Sequence, residues 1–233
     1  MNIGILLCDH VGEKFSKEHG QYPDMFARLL HQVDPTLTFS IYEAQRGQLP
    51  SDLDEASAYL ITGSRHGVND GFPWITHLEN LILRLHSSQK KIIGICFGHQ
   101  LIAKALGGKV VLASNGWGIG VSINQVTRKK SWMVPQQDAL NLLVSHQEQV
   151  MELPLGAEIL ASSDFCPFYM LQINDNLLTV QGHPEFSKAY SQALIEDRKS
   201  ILGEALSEEG LMSLQHKVDD YVFAHWIVNF LRS

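Results

Sequence analysis

The chain has 233 residues, 45% of them apolar and 18% charged, a composition suited to a globular protein with one sizeable core. Its 18 basic and 25 acidic side chains leave a formal net charge of −7, which argues against nucleic acid or an anionic membrane as partner. Three widely spaced cysteines, Cys8, Cys96 and Cys166, form neither a disulfide framework nor a zinc pattern and suit a reducing compartment, the cytoplasm.

The first predicted element is a strand over residues 2–8, apolar throughout and therefore covered on both faces. It is too short to be the apolar core of a signal peptide, and no apolar run approaches the ~20 residues that span a bilayer. A helix follows from about Pro23 to Val33, with the proline in its first turn. Thr38–Tyr42 alternates and predicts a second strand; Ala58–Thr62 predicts a third, ending at Gly63. Trp74–His86 carries Ile75, Leu78, Leu81, Ile82 and Leu85 at helical spacing. A strand from Lys91 stops abruptly at Cys96, and a helix over Leu101–Gly108 follows.

The character then changes. Short runs at 109–113, 119–126, 140–144, 158–162, 168–173 and 177–181 read as strands with few helices between them, which predicts antiparallel pairing. The C-terminal part reads as two helices, about 187–202 and about 207–231. Strand–helix alternation in the first half gives an α/β fold: a doubly wound, mostly parallel central sheet with flanking helices and an antiparallel extension. No repeat, low-complexity tract or linker divides residues 1–233, so one domain is expected. The run Arg128-Lys129-Lys130 is short and reads as a solvated loop.

The chemistry centres on Gly94-Ile95-Cys96-Phe97-Gly98-His99-Gln100. A nucleophile with a glycine two residues to each side, at a strand-to-helix turn, is the pattern of a nucleophile elbow, here with cysteine in place of serine. The glycines let neighbouring backbone approach closely, and the N–H groups opening the next helix favour a thiolate. By itself the pattern also fits an inert buried cysteine.

A nucleophilic cysteine needs a base, and the base needs an acceptor that holds its tautomer. Gln181-Gly182-His183-Pro184-Glu185-Phe186 ends a strand, and His183 and Glu185 are spaced to project to the same side of an extended segment. His146, with Glu148 two residues on, has the same spacing and is a rival base that spacing does not exclude. Thr62-Gly63-Ser64 follows a strand; the N–H groups of Gly63 and Phe97 are candidate oxyanion donors, although Gly63 also fits a simple chain turn. Gln100 lies one turn beyond Cys96, and Ser145, Gln147 and Glu148 close an apolar strand. Each suits a substrate pocket, but taken alone Gln100 better fits a polar helix start and the other three a solvated loop.

Together these motifs resemble class I, triad-type glutamine amidotransferases. The matching segments are Ile61–Ser64, Gly94–Gln100, Ser145–Val150 and Gln181–Phe186, in the family's order and within about residues 2–186. Among them the chain is most similar to stand-alone proteins like the glutaminase part of GMP synthetase, and to plant-type γ-glutamyl peptidases. The resemblance implies a flavodoxin-like core and a γ-glutamyl thioester mechanism. Cys96 would be the nucleophile, His183 the base and Glu185 its orienter. Gly63 and Phe97 would hold the oxyanion, and Gln100, Ser145, Gln147 and Glu148 would grip the glutamyl amino and carboxylate groups. It implies no metal and no organic cofactor.

Three functions then compete: a glutaminase that releases glutamate and ammonia for a separate synthetase, an independent γ-glutamyl peptidase, and a catalytically silent regulatory relative. One departure stands out. Many relatives carry a Glu shortly before the Ile-Gly that follows the elbow helix, where this chain has Gly118.

Overall fold

The computed structural model describes residues 1–233. In chain order the strands are β1 (Asn2–Leu7), β2 (Thr38–Glu43), β3 (Ala58–Ile61), β4 (Lys91–Ile95), β5 (Lys109–Leu112), β6 (Gly118–Val126), β7 (Ala139–His146), β8 (Glu148–Glu152), β9 (Ala157–Ser162), β10 (Met170–Ile173) and β11 (Leu177–Val180). The helices are α1 (Glu13–His19), α2 (Tyr22–His31), α3 (Pro73–Ser87), α4 (Phe97–Ala105), α5 (Lys188–Asp197), α6 (Lys199–Leu202), α7 (Glu204–Ser213) and α8 (Asp220–Arg232).

Nine strands make one sheet in the order β2-β1-β3-β4-β11-β10-β9-β6-β7. Pairing is parallel from β2 to β11 and antiparallel from β11 to β7, so the expected parallel block and antiparallel extension share one sheet. β5 and β8 form a separate antiparallel pair.

Alternation along each parallel strand builds a core on each face of the sheet. Ile3 and Ile5, Ala58 and Leu60, Ile93 and Ile95, and Leu178 and Val180 pack with the apolar stripes of α2 and α8. Leu6, Tyr59 and Ile61, Ile92 and Leu177 pack with α3 and α4 on the opposite face. Full burial of each such side chain stabilises the fold by about 1.5–3 kcal/mol. Tyr59 needs the glycine beside it: a methyl group on Gly4 would sit 2.6 Å from the Tyr59 ring.

Three expectations are corrected. The elbow helix begins at Phe97, not Leu101, because Cys96 itself is its N-cap. The segment expected as one helix over 187–202 is interrupted at Arg198, which separates α5 from α6. The segment expected as one helix over 207–231 is two. α7 lies on β6, where Ser213 Oγ accepts from the Val121 N–H at 2.9 Å. α8 is capped by Asp219, which clasps Asn141 of β7 by two hydrogen bonds of 2.8 and 2.9 Å. A straight helix cannot follow β6 and also cover the sheet face beside α2. Helix α1 and strand β8 had no sequence expectation. α1 buries no residue, so it shows no core stripe. β8 follows β7 after the single residue Gln147, and its run Glu148–Glu152 is mostly polar.

Candidate active site

β4 lies between β3 and β11, parallel to both, so the C-terminal ends of all three strands open onto one edge. The loop after β3 carries Gly63, the end of β4 carries Cys96, and the segment after β11 carries His183 and Glu185. This register gathers residues from positions 63, 96 and 183. The Cys96 N–H donates to Val180 O at 2.9 Å, which ties the elbow to the strand leading into His183.

Cys96 has φ 50° and ψ −99°. For a residue with a Cβ this is a strained conformation, costing about 1–3 kcal/mol, of the kind that clusters at functional sites. The flanking glycines make the turn possible. A methyl group on Gly98 would lie 2.5 Å from Ile61 O, and one on Gly94 would lie 2.8 Å from the Gly98 backbone. Phe97 opens α4 directly after Cys96, so its N–H has no carbonyl one turn back to bond.

His183 is buried, and its Nδ1–H donates to Glu185 Oε1 at 2.8 Å. That bond leaves Nε2 as the free nitrogen. Phe186 stacks on the imidazole with centroids 3.9 Å apart and planes 12° from parallel. Burial alone would push this imidazole down. The Glu185 carboxylate, then Cys96 by charge and hydrogen bonding, outweigh it and raise it to about 10. Cys96 and His183 converge over Gly63: a methyl group there would lie 2.7 Å from His183 Cε1 and 3.7 Å from Cys96 Cβ. Gly63 is thus more than a turn residue, since the imidazole rests on its bare Cα.

The rival imidazole takes a different place. His146 Nδ1–H donates to the Glu148 main-chain oxygen at 3.1 Å and not to its carboxylate. Its Nε2 faces Gly118, where a methyl group would come within 2.7 Å. The space a side chain at position 118 would use is therefore filled by His146 and Phe165.

Burial, with a smaller effect of His183, lowers His146 to about 4, and burial lowers His99 to about 3. Both sit below the unfolded value near 6.5, so the unfolded chain binds the extra protons. Their contribution is present above about pH 6.5 and is lost as pH falls toward 4 and 3. His183 has the opposite sign: its contribution is lost as pH rises from 6.5 through about 10. Urea unfolding should show stability falling below pH 6.5, with each of the two neutral histidines adding about 1.4 kcal/mol per pH unit to the slope. His146→Asn should halve that slope; an unchanged slope would contradict the assignment.

The predicted substrate residues line a cleft of about 430 Å³ that includes Cys96, Gln100, Ser145, Gln147 and Glu148. Gln100 is less free than its sequence position suggests. Its Nε2 donates to Glu148 O at 2.8 Å and to Gln181 Oε1 at 3.0 Å, so it braces β8 against the elbow helix. Glu148 is raised by burial and then by the charge of Asp70, and both carboxylates flank Gly67. A second cleft of about 250 Å³ is lined by His183, Phe186 and Tyr190 and lacks Cys96. Ser64, Arg65, Ser145 and Arg198 form the ridge common to both clefts.

Sequence reasoning missed Phe186 as the imidazole's stacking partner, Asp70 as a second carboxylate and Arg198 on the ridge. Phe186 closes a motif already singled out. Arg198 sits in the charged run Glu196-Asp197-Arg198-Lys199, which has the composition of a solvated helix face.

Fold and site together define an α/β protein with an elbow cysteine on a central parallel strand, faced by a buried histidine–glutamate pair. The chain belongs to the class-I glutamine amidotransferase family, whose model matches residues 38–200. It is 35% identical over 193 residues to gamma-glutamyl peptidase 4 of Arabidopsis thaliana, covering 79% of this chain and 75% of that protein. It is 27% identical over 161 residues to a glutamine-hydrolyzing GMP synthase subunit of Methanosphaera stadtmanae, covering 69% of this chain and 84% of that one. A glutamine amidotransferase crystal structure from Thermotoga maritima matches the fold with a TM-score of 0.76 at 20% identity, over 99% of both chains.

Proposed function

We propose that this protein hydrolyses a γ-glutamyl amide bond through a thioester on Cys96. The observation that carries the reading is the placement of His183, tethered by Glu185 and stacked on Phe186, over the same glycine as Cys96. His183 Nε2 already holds the thiol's proton, in keeping with its raised pKa, and the paired Cys96 thiolate attacks the γ-carbonyl. The Gly63 and Phe97 N–H groups hold the oxyanion as the tetrahedral intermediate forms. When it collapses, the C–N bond breaks and His183 returns the proton to the leaving nitrogen. Water, deprotonated by the same imidazole, then cleaves the thioester and releases glutamate. The cleft beside Cys96 holds the glutamyl part. Its carboxylates Glu148 and Asp70 suit the α-ammonium, and Ser145 and Gln147 supply polar contacts. Residues 1–233 act as one catalytic unit. The activity belongs in a reducing, cytoplasmic setting, consistent with three free, buried cysteines.

Glutamine is the smallest such substrate, and likeness to the GMP synthase chain supports a reading in which ammonia passes to a separate synthetase. Likeness to the Arabidopsis gamma-glutamyl peptidase, together with the cleft on the His183 side, supports larger γ-glutamyl substrates and independent action. A glutamine-analogue diazoketone should label the protein stoichiometrically, with the label on Cys96 by peptide mapping and lost in Cys96→Ala. Labelling elsewhere, or none, would remove the thioester reading and favour a silent relative. Turnover of glutamine or a γ-glutamyl peptide by the isolated protein separates independent action from dependence on a partner.

A further inference from the structure

Thioester chemistry divides its substrate. The acyl half stays on the sulfur, and the amine half leaves with the proton that the imidazole delivers. The two clefts divide in the same way. One contains Cys96 without His183, the other His183 without Cys96, and they meet at the ridge of Ser64, Arg65, Ser145 and Arg198. The His183-lined cleft, about 250 Å³, therefore lies on the side of the leaving group. Ammonia does not need that volume.

The charges in this cleft indicate what would fill it. Asp9 is engaged by Arg65, whose Nε lies 2.8 Å from Oδ2, and Asp197 is engaged by Lys14. Arg198 is different. Its Nη1 donates to Ser145 Oγ at 2.6 Å, it takes part in no ion pair, and its guanidinium lies 5.8 Å from the Trp117 ring centroid. It is a positioned guanidinium without an anion, on the ridge between sulfur and imidazole clefts. The planar fork of arginine matches a carboxylate through two parallel hydrogen bonds.

We propose that the His183-lined cleft is a leaving-group subsite in which Arg198 recognises a carboxylate on the departing amine. The preferred substrates are then γ-glutamyl amides of amino acids or peptides, over glutamine and amides of neutral amines. This inference rests on the γ-glutamyl reading above. It adds a specificity-determining residue and a charge requirement on the amine half.

The test uses γ-glutamylglycine and its C-terminal amide, which share the glutamyl half and differ only in the distal charge. Binding to Cys96→Ala protein, followed by calorimetry, reads the subsite without turnover. The acid should bind about tenfold more tightly than the amide. Adding Arg198→Met should abolish the difference, and Arg198→Lys should retain part of it. Equal or absent binding of the two ligands by Cys96→Ala protein overturns the proposal, and needs no arginine variant that folds. So does a preference that survives Arg198→Met. Equal weakening of both ligands by Arg198→Met places the guanidinium on the glutamyl α-carboxylate and also overturns it. Turnover by unmodified protein is read separately. Cleavage of glutamine without an acid-over-amide preference removes the subsite alone, whereas the binding preference without any turnover removes the hydrolase reading alone.

Discussion

His183→Ala should lower kcat/KM for a γ-glutamyl amide on the order of 10⁶-fold, to the level of Cys96→Ala, because nucleophile and base act as a unit. The imidazole has two duties in the proposed reaction: it holds the thiol's proton off the sulfur, and it returns one to the leaving nitrogen. Its geometry is held from two sides, by Glu185 Oε1 at 2.8 Å and by the Phe186 ring at 3.9 Å between centroids. Water in an alanine-sized gap supplies neither the basicity nor the orientation. The double variant Cys96→Ala/His183→Ala should be no worse than either single change. Glu185→Gln should lose less, on the order of 10⁴-fold, since an amide can turn its NH₂ toward Nδ1 and stabilise the wrong tautomer. Steady-state kinetics with each variant checked for native folding decides the matter. A larger loss from His146→Ala than from His183→Ala would move the base to the other imidazole.

Gly63→Ala should cost on the order of 10³-fold in kcat while leaving the fold intact. The added methyl group would lie 2.7 Å from His183 Cε1, a distance that real Cβ atoms essentially never show. The ring must move, and its movement carries Nε2 away from Cys96. The Gly63 N–H, proposed to hold the oxyanion, would shift with its own backbone. Both effects act on the transition state, so KM should change far less than kcat. The position is not one of positive φ, so backbone strain is not the cause. A Gly63→Ala protein with wild-type kcat would show that the imidazole can work from a displaced position, and would remove Gly63 from the proposed machinery.

Much of the fold was legible because local rules and tertiary packing agree. The apolar runs at Ile3–Leu7, Tyr59–Ile61 and Ile92–Ile95 are strands buried on both faces, and both faces are indeed covered. The elbow was legible for a steric reason: only glycine fits at positions 94 and 98, so the chain records the turn in its residue types. The histidine–glutamate pair was legible because two residues of an extended segment point to one side, and their hydrogen bond is local. Less legible were elements whose stability is not local. α1 buries no side chain, and β8 pairs only with β5 and sends a single apolar side chain, Val150, into the core, too little to write a strand pattern. The break between α7 and α8 answers to β6 and β7, whose contacts lie 92 and 78 residues earlier in the chain.

The choice between two bases shows where the division lies. His146 and His183 each have a glutamate two residues on, and spacing alone treats them alike. The parallel register of β4 with β11 brings His183 to Cys96, while the passage from β7 to β8 turns the Glu148 carboxylate from His146 toward Gly67. By itself the sequence determined which residue types could do the chemistry, since glycines, a cysteine and a local histidine–glutamate pair are requirements written residue by residue. The family resemblance already pointed to His183 as base; only the tertiary structure decided how that imidazole reaches the sulfur, that the space at Gly118 belongs to His146, and that Arg198 stands unpaired between two clefts. These are distances between segments far apart in the chain, set by strand register and helix docking, and no local pattern encodes them.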